Sequence, residues 1–306
     1  MTMTKRENVL AALTCKPAER VPAGFWFHFM LDDLFGEDAD RNIAAHKRYI
    51  ADYDPDFVKI MSDGFFKYPG DCVTPLGAKH PWLAEQARIV REVVAAADGR
   101  CCFYNVFAPA TLLRVTMGDE GFLSELAENP DSLKAKLGVM AEDFAELARL
   151  ALRNGADGVY FSVQNPMSAV SPEAYRAALT PGEKKILAAA RDGLNILHCC
   201  GYGDNKNDLT LWTDYETAAV NWATAIEKLT LSEGRRLFGG KCVLGGFDNR
   251  EGGVLLSGSR AEVEAETKRL IKDAGAVGLI LGADCTVSAE FTPERLNWVR
   301  DTDCRE

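Results

Sequence analysis

Eight short apolar runs alternating with helical patterns constrain this chain more than any other feature. The runs are Val21 to Met30, Phe57 to Met61, Cys102 to Phe107, Gly158 to Gln164, Leu194 to Cys200, Ala218 to Trp222, Cys242 to Phe247 and Gly278 to Leu281. Runs of this length, bounded by Gly, Pro and Asp, suit strands buried on both faces. Helical patterns separate them. Residues 4 to 14 carry Thr4 as a cap and Val9, Leu10 and Leu13 as an apolar stripe, and further patterns cover Arg41 to Tyr53 and Leu83 to Ala97. Residues 119 to 154 read as two helices split at Pro130, another starts at Pro172 behind Ser171, and the last three span Thr224 to Phe238, Arg260 to Ala274 and Pro293 to Val299. Parallel strands need crossover helices, so eight such units in 306 residues predict an α/β fold, a single (β/α)8 TIM barrel with an N-terminal helical extension. A doubly wound open sheet is the rival. No linker, charge block or repeat divides the chain, so residues 1–306 are read as one domain.

In such a barrel the carboxyl ends of the strands line the active-site mouth. That rule collects His28, Asp63, Gln164, Asn165, His198, Cys200, Asp248, Asp284 and Cys285. The sharpest signal among them is His198-Cys199-Cys200-Gly201. Strand alternation places His198 and Cys200 on one face and Cys199 on the other, so a nitrogen and a sulfur reach the same spot. Those are donors that zinc prefers, and Cys285, ending the last run, supplies a third. Three protein ligands leave one coordination position open, the arrangement of a catalytic site. His28, Asp63, Gln164 and Asp248 are the substrate-binding candidates, and Asp248 or Asp284 is expected to accept from the second ring nitrogen of His198 or to act as a displaceable ligand. Cys101 and Cys102, without a nearby histidine, read as structural. Nine cysteines, irregularly spaced, fit reduced thiols rather than a disulfide framework. The net charge of −10 argues against nucleic acid and anionic membranes as partners. Neither a signal-peptide core nor an apolar stretch of roughly 18 residues is present, so the expected location is cytoplasmic.

Several of these segments together carry a family resemblance. Arg20-Val21-Pro22, Asp56-Phe57-Val58-Lys59-Ile60, Gly155-Ala156-Asp157, Ser171-Pro172-Glu173, His198-Cys199-Cys200-Gly201, Gly246-Phe247-Asp248, Leu281-Gly282-Ala283-Asp284-Cys285 and Thr292-Pro293-Glu294 resemble the uroporphyrinogen decarboxylase-like proteins. Within that group they are similar to the zinc-dependent methyltransferases acting on corrinoid proteins, such as those that methylate coenzyme M. The resemblance implies zinc on His198, Cys200 and Cys285, a thiol activated at the open position, and a methylated corrinoid (cobalamin) as the methyl source. Because the chain has no Asp-x-His-x-x-Gly motif, a separate corrinoid protein is the implied partner. Two departures set the chain apart from true decarboxylases. Phe27-His28-Phe29-Met30-Leu31-Asp32-Asp33 stands where they carry an Arg-x-x-Gly-Arg-Tyr segment, and Ala283 replaces the histidine of their Leu-Gly-His-Gly motif. Asp63 falls where they keep a catalytic aspartate, read here as shared ancestry. Decarboxylation, or corrinoid binding without catalysis, is the alternative.

Overall fold

The computed structural model describes residues 2–165 and 170–302. Seven parallel strands form one sheet in chain order: β1 (Phe57–Ile60), β2 (Cys101–Phe107), β3 (Gly158–Val163), β4 (Ile196–Cys199), β5 (Ala219–Trp222), β6 (Cys242–Phe247) and β7 (Leu279–Ala283). Nearly every residue in them is buried, as strands covered on both faces require. Seven of the eight expected runs are therefore strands.

The eighth, Val21 to Met30, is reduced to a single parallel bridge between Ala23 and Leu281. Gly24 N donates to Leu281 O at 3.0 Å and Leu281 N to Pro22 O at 2.8 Å, while Asp56 N donates to Ala23 O at 3.2 Å. The run thus sits between β7 and the start of β1 and links the two edges of a TIM-barrel-like fold. It fails to continue as a strand for a local reason. Further along, Phe29 N and Met30 N donate to the carboxylate of Asp63 instead of to a neighbouring backbone.

The helices are α1 (Lys5–Leu13), α2 (Ala39–Tyr53), α3 (Pro81–Ala96), α4 (Pro109–Glu128), α5 (Pro130–Arg153), α6 (Pro172–Ala178), α7 (Thr180–Ala189), α8 (Thr224–Glu227), α9 (Leu231–Leu237), α10 (Val254–Ser257), α11 (Arg260–Ala274) and α12 (Pro293–Arg300). Most follow the periodicity, but α4 begins ahead of the expected residue 119, because the chain is already helical from Pro109 and only breaks at Gly118. Thr4 and Glu7 form a capping box at α1, and Ser171 caps α6. The expected helix from Thr224 to Phe238 is two pieces. Lys228 turns left-handed at the end of α8, and Thr230 with Glu233 caps a fresh start at α9.

Two packing layers follow from strand alternation. Phe57, Cys101, Phe103, Tyr160, Ile196, Ala219, Cys242, Leu244 and Ile280 point inward and meet Val9, Ala12 and Leu13 of α1. Most of these stand at strand starts, so α1 covers the amino end of the barrel. The opposite faces pack on the outer helices. Among the described residues the eight cysteines are free thiols, and no helix is long and apolar enough to cross a membrane.

Candidate metal centre

His198 is the third residue of β4, paired in register with Ser162 of β3 and Asn221 of β5. Its ring points into the barrel, as does Cys200 two residues on, whereas Cys199 packs into the outer layer. Cys200 N still donates to Val163 O at 2.8 Å, which holds this turn in line with the strand. Cys285 follows β7. The residue before it, Asp284, anchors the turn: its carboxylate accepts from Thr224 Oγ1 and Ala225 N at 2.9 Å, and its N–H donates to Phe247 O. With Asp284 tied to α8, Cys285 is left facing inward.

The outcome is a compact donor triad. Cys200 Sγ lies 3.9 Å from Cys285 Sγ, which lies 3.7 Å from His198 Nε2, and all three ligand atoms fall within 4.8 Å of one another. Zinc bond lengths of about 2.3 Å to sulfur and 2.0 Å to nitrogen in a tetrahedron require sulfur–sulfur and sulfur–nitrogen separations of about 3.8 Å and 3.5 Å. Two of the three separations are close to these values, so the donor set suits zinc once Cys200 and His198 draw together. His198 and Cys285 are buried and Cys200 is partly so. The adjacent Cys200 thiol and the His198 ring hold Cys285 well below the ordinary thiol range, while the contact with Cys285 and burial push Cys200 up. The pair thus parts readily with one proton, which favours metal binding.

Asn221 is the functional residue that sequence reasoning missed. Its Oδ1 is hydrogen-bonded to His198 Nδ1, and its Nδ2 donates to Leu244 O at 2.8 Å and Ala283 O at 3.1 Å. Two carbonyls can only accept, so they fix the amide with its oxygen toward the imidazole. Nδ1 must then carry the proton, leaving the Nε2 lone pair free for a metal. Gly245 makes room for this contact: at φ +135° it places no side chain where a Cβ would lie 2.9 Å from Asn221 Nδ2. The available signal was one amide inside the apolar run Ala219-Val220-Asn221-Trp222. The expected acceptors for His198 were Asp248 or Asp284, and neither occupies that place. Asp284 holds α8, and burial raises it to about 7. Asp248 pairs with Arg250 at 2.7 Å and lines a separate depression with Thr224, Lys228 and Arg269.

Two of the remaining candidates, His28 and Gln164, line a cavity at the triad. This cavity of about 270 Å³ is lined by His28, Lys59, Gln164, His198, Cys200 and Cys285 among apolar walls that include Met61, Phe66, Phe107 and Leu112. Asp63 stands behind His28, its Oδ1 2.7 Å from His28 Nδ1, so Nε2 is the nitrogen left for a ligand. Gln164 bridges the mouth, accepting from Arg114 at 2.9 Å and donating to Tyr202 O at 3.1 Å. Asn165 is buried nearby, accepting none of this role; its N–H donates to Asn207. Lys59 was absent from the expected set, although its position in the middle of β1 is a readable anomaly. Burial draws its ammonium down to about 8. Cys101 and Cys102 are buried and pushed up to about 12, consistent with a packing role.

Fold and site together define a TIM-barrel-like α/β protein with a candidate metal centre at the carboxyl ends of its strands. The chain belongs to the uroporphyrinogen decarboxylase (URO-D) family, whose profile matches residues 72–303. Among solved structures, a methyltransferase from Methanosarcina mazei is similar over 98% of both chains, at 15% identity and a TM-score of 0.74. GH5_18 from Streptomyces cattleya follows at 0.51, with 13% identity over 92% of this chain and 79% of that one. A B12-independent methionine synthase from Shewanella sp. gives 0.50, with 12% identity over 70% of this chain and 65% of that one. At these identities the likeness is one of fold. No curated protein matches by sequence.

Proposed function

We propose that this protein is an enzyme, a methyltransferase that holds zinc on His198, Cys200 and Cys285 and moves a methyl group between a methylated corrinoid and a small thiol or other acceptor. The observation that carries this reading is the triad itself, two of whose three separations are close to those of a zinc tetrahedron, with an imidazole whose tautomer is already set. Zinc at this place supplies an open position where a bound thiol loses its proton and becomes nucleophilic at neutral pH. The chain's residues supply the remainder. Asn221 keeps His198 in the ligating tautomer, the apolar walls exclude water, and His28, steadied by Asp63, offers Nε2 to accept the thiol proton. In the transfer, the sulfur–carbon bond forms as the cobalt–carbon bond breaks, and the electron pair of that bond stays on cobalt.

The rim supports a separate corrinoid protein as partner. Leu31, Phe35, Val115 and Tyr202 surround the cavity with 47–77% of their surface exposed, an apolar collar suited to a docked face. Family membership alone fits a decarboxylase equally well. Against that reading, no arginine lines the cavity among the described residues; Arg114 stands in the adjoining depression, held to Gln164 and Asp119. A subunit that binds a corrinoid without catalysis would have no use for a thiol pair beside an imidazole.

Metal analysis of the purified protein tests the proposal. One zinc per chain is expected, lost in His198→Ala and in Cys285→Ser, and a metal-free wild type sinks the idea. Loss of the methylcobalamin spectrum on adding thiols then separates transfer from binding alone.

A further inference from the structure

Lys59 is the third residue of β1 and has 4% of its surface exposed, yet it lines the same cavity as His198, Cys200 and Cys285. Its Nζ stands between two aromatic faces, 4.8 Å from the centroid of Trp26 and 4.1 Å from that of Tyr160, and the same rings flank His198 at 6.4 Å and 5.7 Å. Ring faces attract a cation but carry no net charge. Burial works against the ammonium, and the groups that sustain it are Cys285, Cys200 and then Asp63. Asp63 is already engaged by His28 Nδ1, Phe29 N and Met30 N. The counter-charge of Lys59 is therefore the cysteine pair, whose sulfurs lie 3.9 Å apart. That balance holds only while the sulfurs are free of metal. Two thiolates and a neutral imidazole cancel the charge of a zinc dication, so the loaded triad no longer offsets the ammonium. A buried cation that has lost its partner is costly. The place left for a negative charge is the open coordination position, because the triad and Lys59 line one cavity.

We propose that Lys59 selects what binds at the metal: it favours a fourth ligand that is negatively charged at its donor atom, such as a thiolate, over water or another neutral donor. This rests on the zinc reading above and adds a second reason for a thiol to give up its proton there. The ammonium restores neutrality to the buried centre when the incoming sulfur is an anion, and does nothing for a sulfur that keeps its proton.

The test uses cobalt(II)-substituted protein, whose visible spectrum responds to a change of ligand at the metal. It is titrated with 2-mercaptoethanol and azide, which join the metal as anions, and with imidazole, which joins it neutral. Lys59→Met should weaken both anions about 10- to 100-fold, the worth of one charge at close range in a partly screened interior, and leave imidazole unchanged. Lys59→Arg keeps the charge and should retain part of the preference. Anions bound as tightly by Lys59→Met as by wild type overturn the assignment, and so does equal weakening of all three ligands, the mark of a packing role. A thiol that joins wild-type cobalt without strengthening the thiolate-to-metal charge-transfer band also overturns it, even if no Lys59 variant folds. Failure of 2-mercaptoethanol alone, with azide still bound in a Lys59-dependent way, sinks the methyltransferase reading and leaves the charge preference standing. A wild type that takes up no metal sinks both.

Discussion

At Asn221 a carboxamide occupies a strand otherwise made of apolar residues, and its two ends do different work. The NH2 group satisfies Leu244 O and Ala283 O, so the oxygen is the end left for His198. Two substitutions separate these roles. Asn221→Leu removes the acceptor, and zinc affinity should fall about 10- to 100-fold, the usual effect of losing a partner to a ligating histidine; competition with a chromophoric chelator reads this. Asn221→Asp keeps an acceptor for His198 but faces two carbonyls with a carboxylate. It should retain more zinc affinity than Asn221→Leu while losing about 1–3 kcal/mol of stability, the cost of leaving buried groups unsatisfied. Equal zinc loss in both variants would show that the amide acts only by packing. A candidate metal site is readable from the chain at the residue scale because His198, Cys199, Cys200 and Gly201 are contiguous. Asn221 is not, since its relevance comes from strand register.

Among the elements, the segment that replaces the eighth strand shows what holds the barrel's edges together. Asp56 is fully buried, and its carboxylate takes both guanidinium nitrogens of Arg20 at 2.6 Å and the N–H of Ala23 at 2.7 Å. One side chain thus fastens the incoming segment to the start of β1, next to its bridge with β7. Removing one member of a buried pair leaves the other uncompensated. Asp56→Ala should therefore lower stability by about 3 kcal/mol in urea unfolding, with near-native affinity for zinc in the folded fraction. The expectation of a full strand here rested on apolar composition alone. Composition cannot reveal that the Asp63 carboxylate claims the N–H groups of Phe29 and Met30. Helix limits were better readable, because caps and prolines are local signals: Arg260 to Ala274 agrees residue for residue.

For the molecule as a whole, a buried carboxylate links stability to pH. Glu183 of α7 is 1% exposed and accepts from the hydroxyls of Tyr175, at 2.7 Å, and Tyr215; burial raises it to about 7 from 4.5. Below pH 4.5 it is protonated whether the chain is folded or not. Between there and about 7 the unfolded chain ionises first, so stability falls as pH rises, by at most about 3 kcal/mol. Glu183→Gln should be more stable relative to wild type at pH 8 than at pH 5, measured by urea unfolding; an unchanged difference refutes the coupling. The sequence by itself determined the alternation of apolar runs and helices, the capped helix starts, and the His-x-Cys pair, since each depends on neighbours along the chain. Only the tertiary structure decided how closely Cys285 approaches that pair, that Asn221 rather than an aspartate sets the imidazole, that Asp248 faces elsewhere, and that Lys59 stands beside the centre. Those contacts join residues from different strands. Register, sheet curvature and the packing of turns bring them together, and no local pattern encodes the resulting distances.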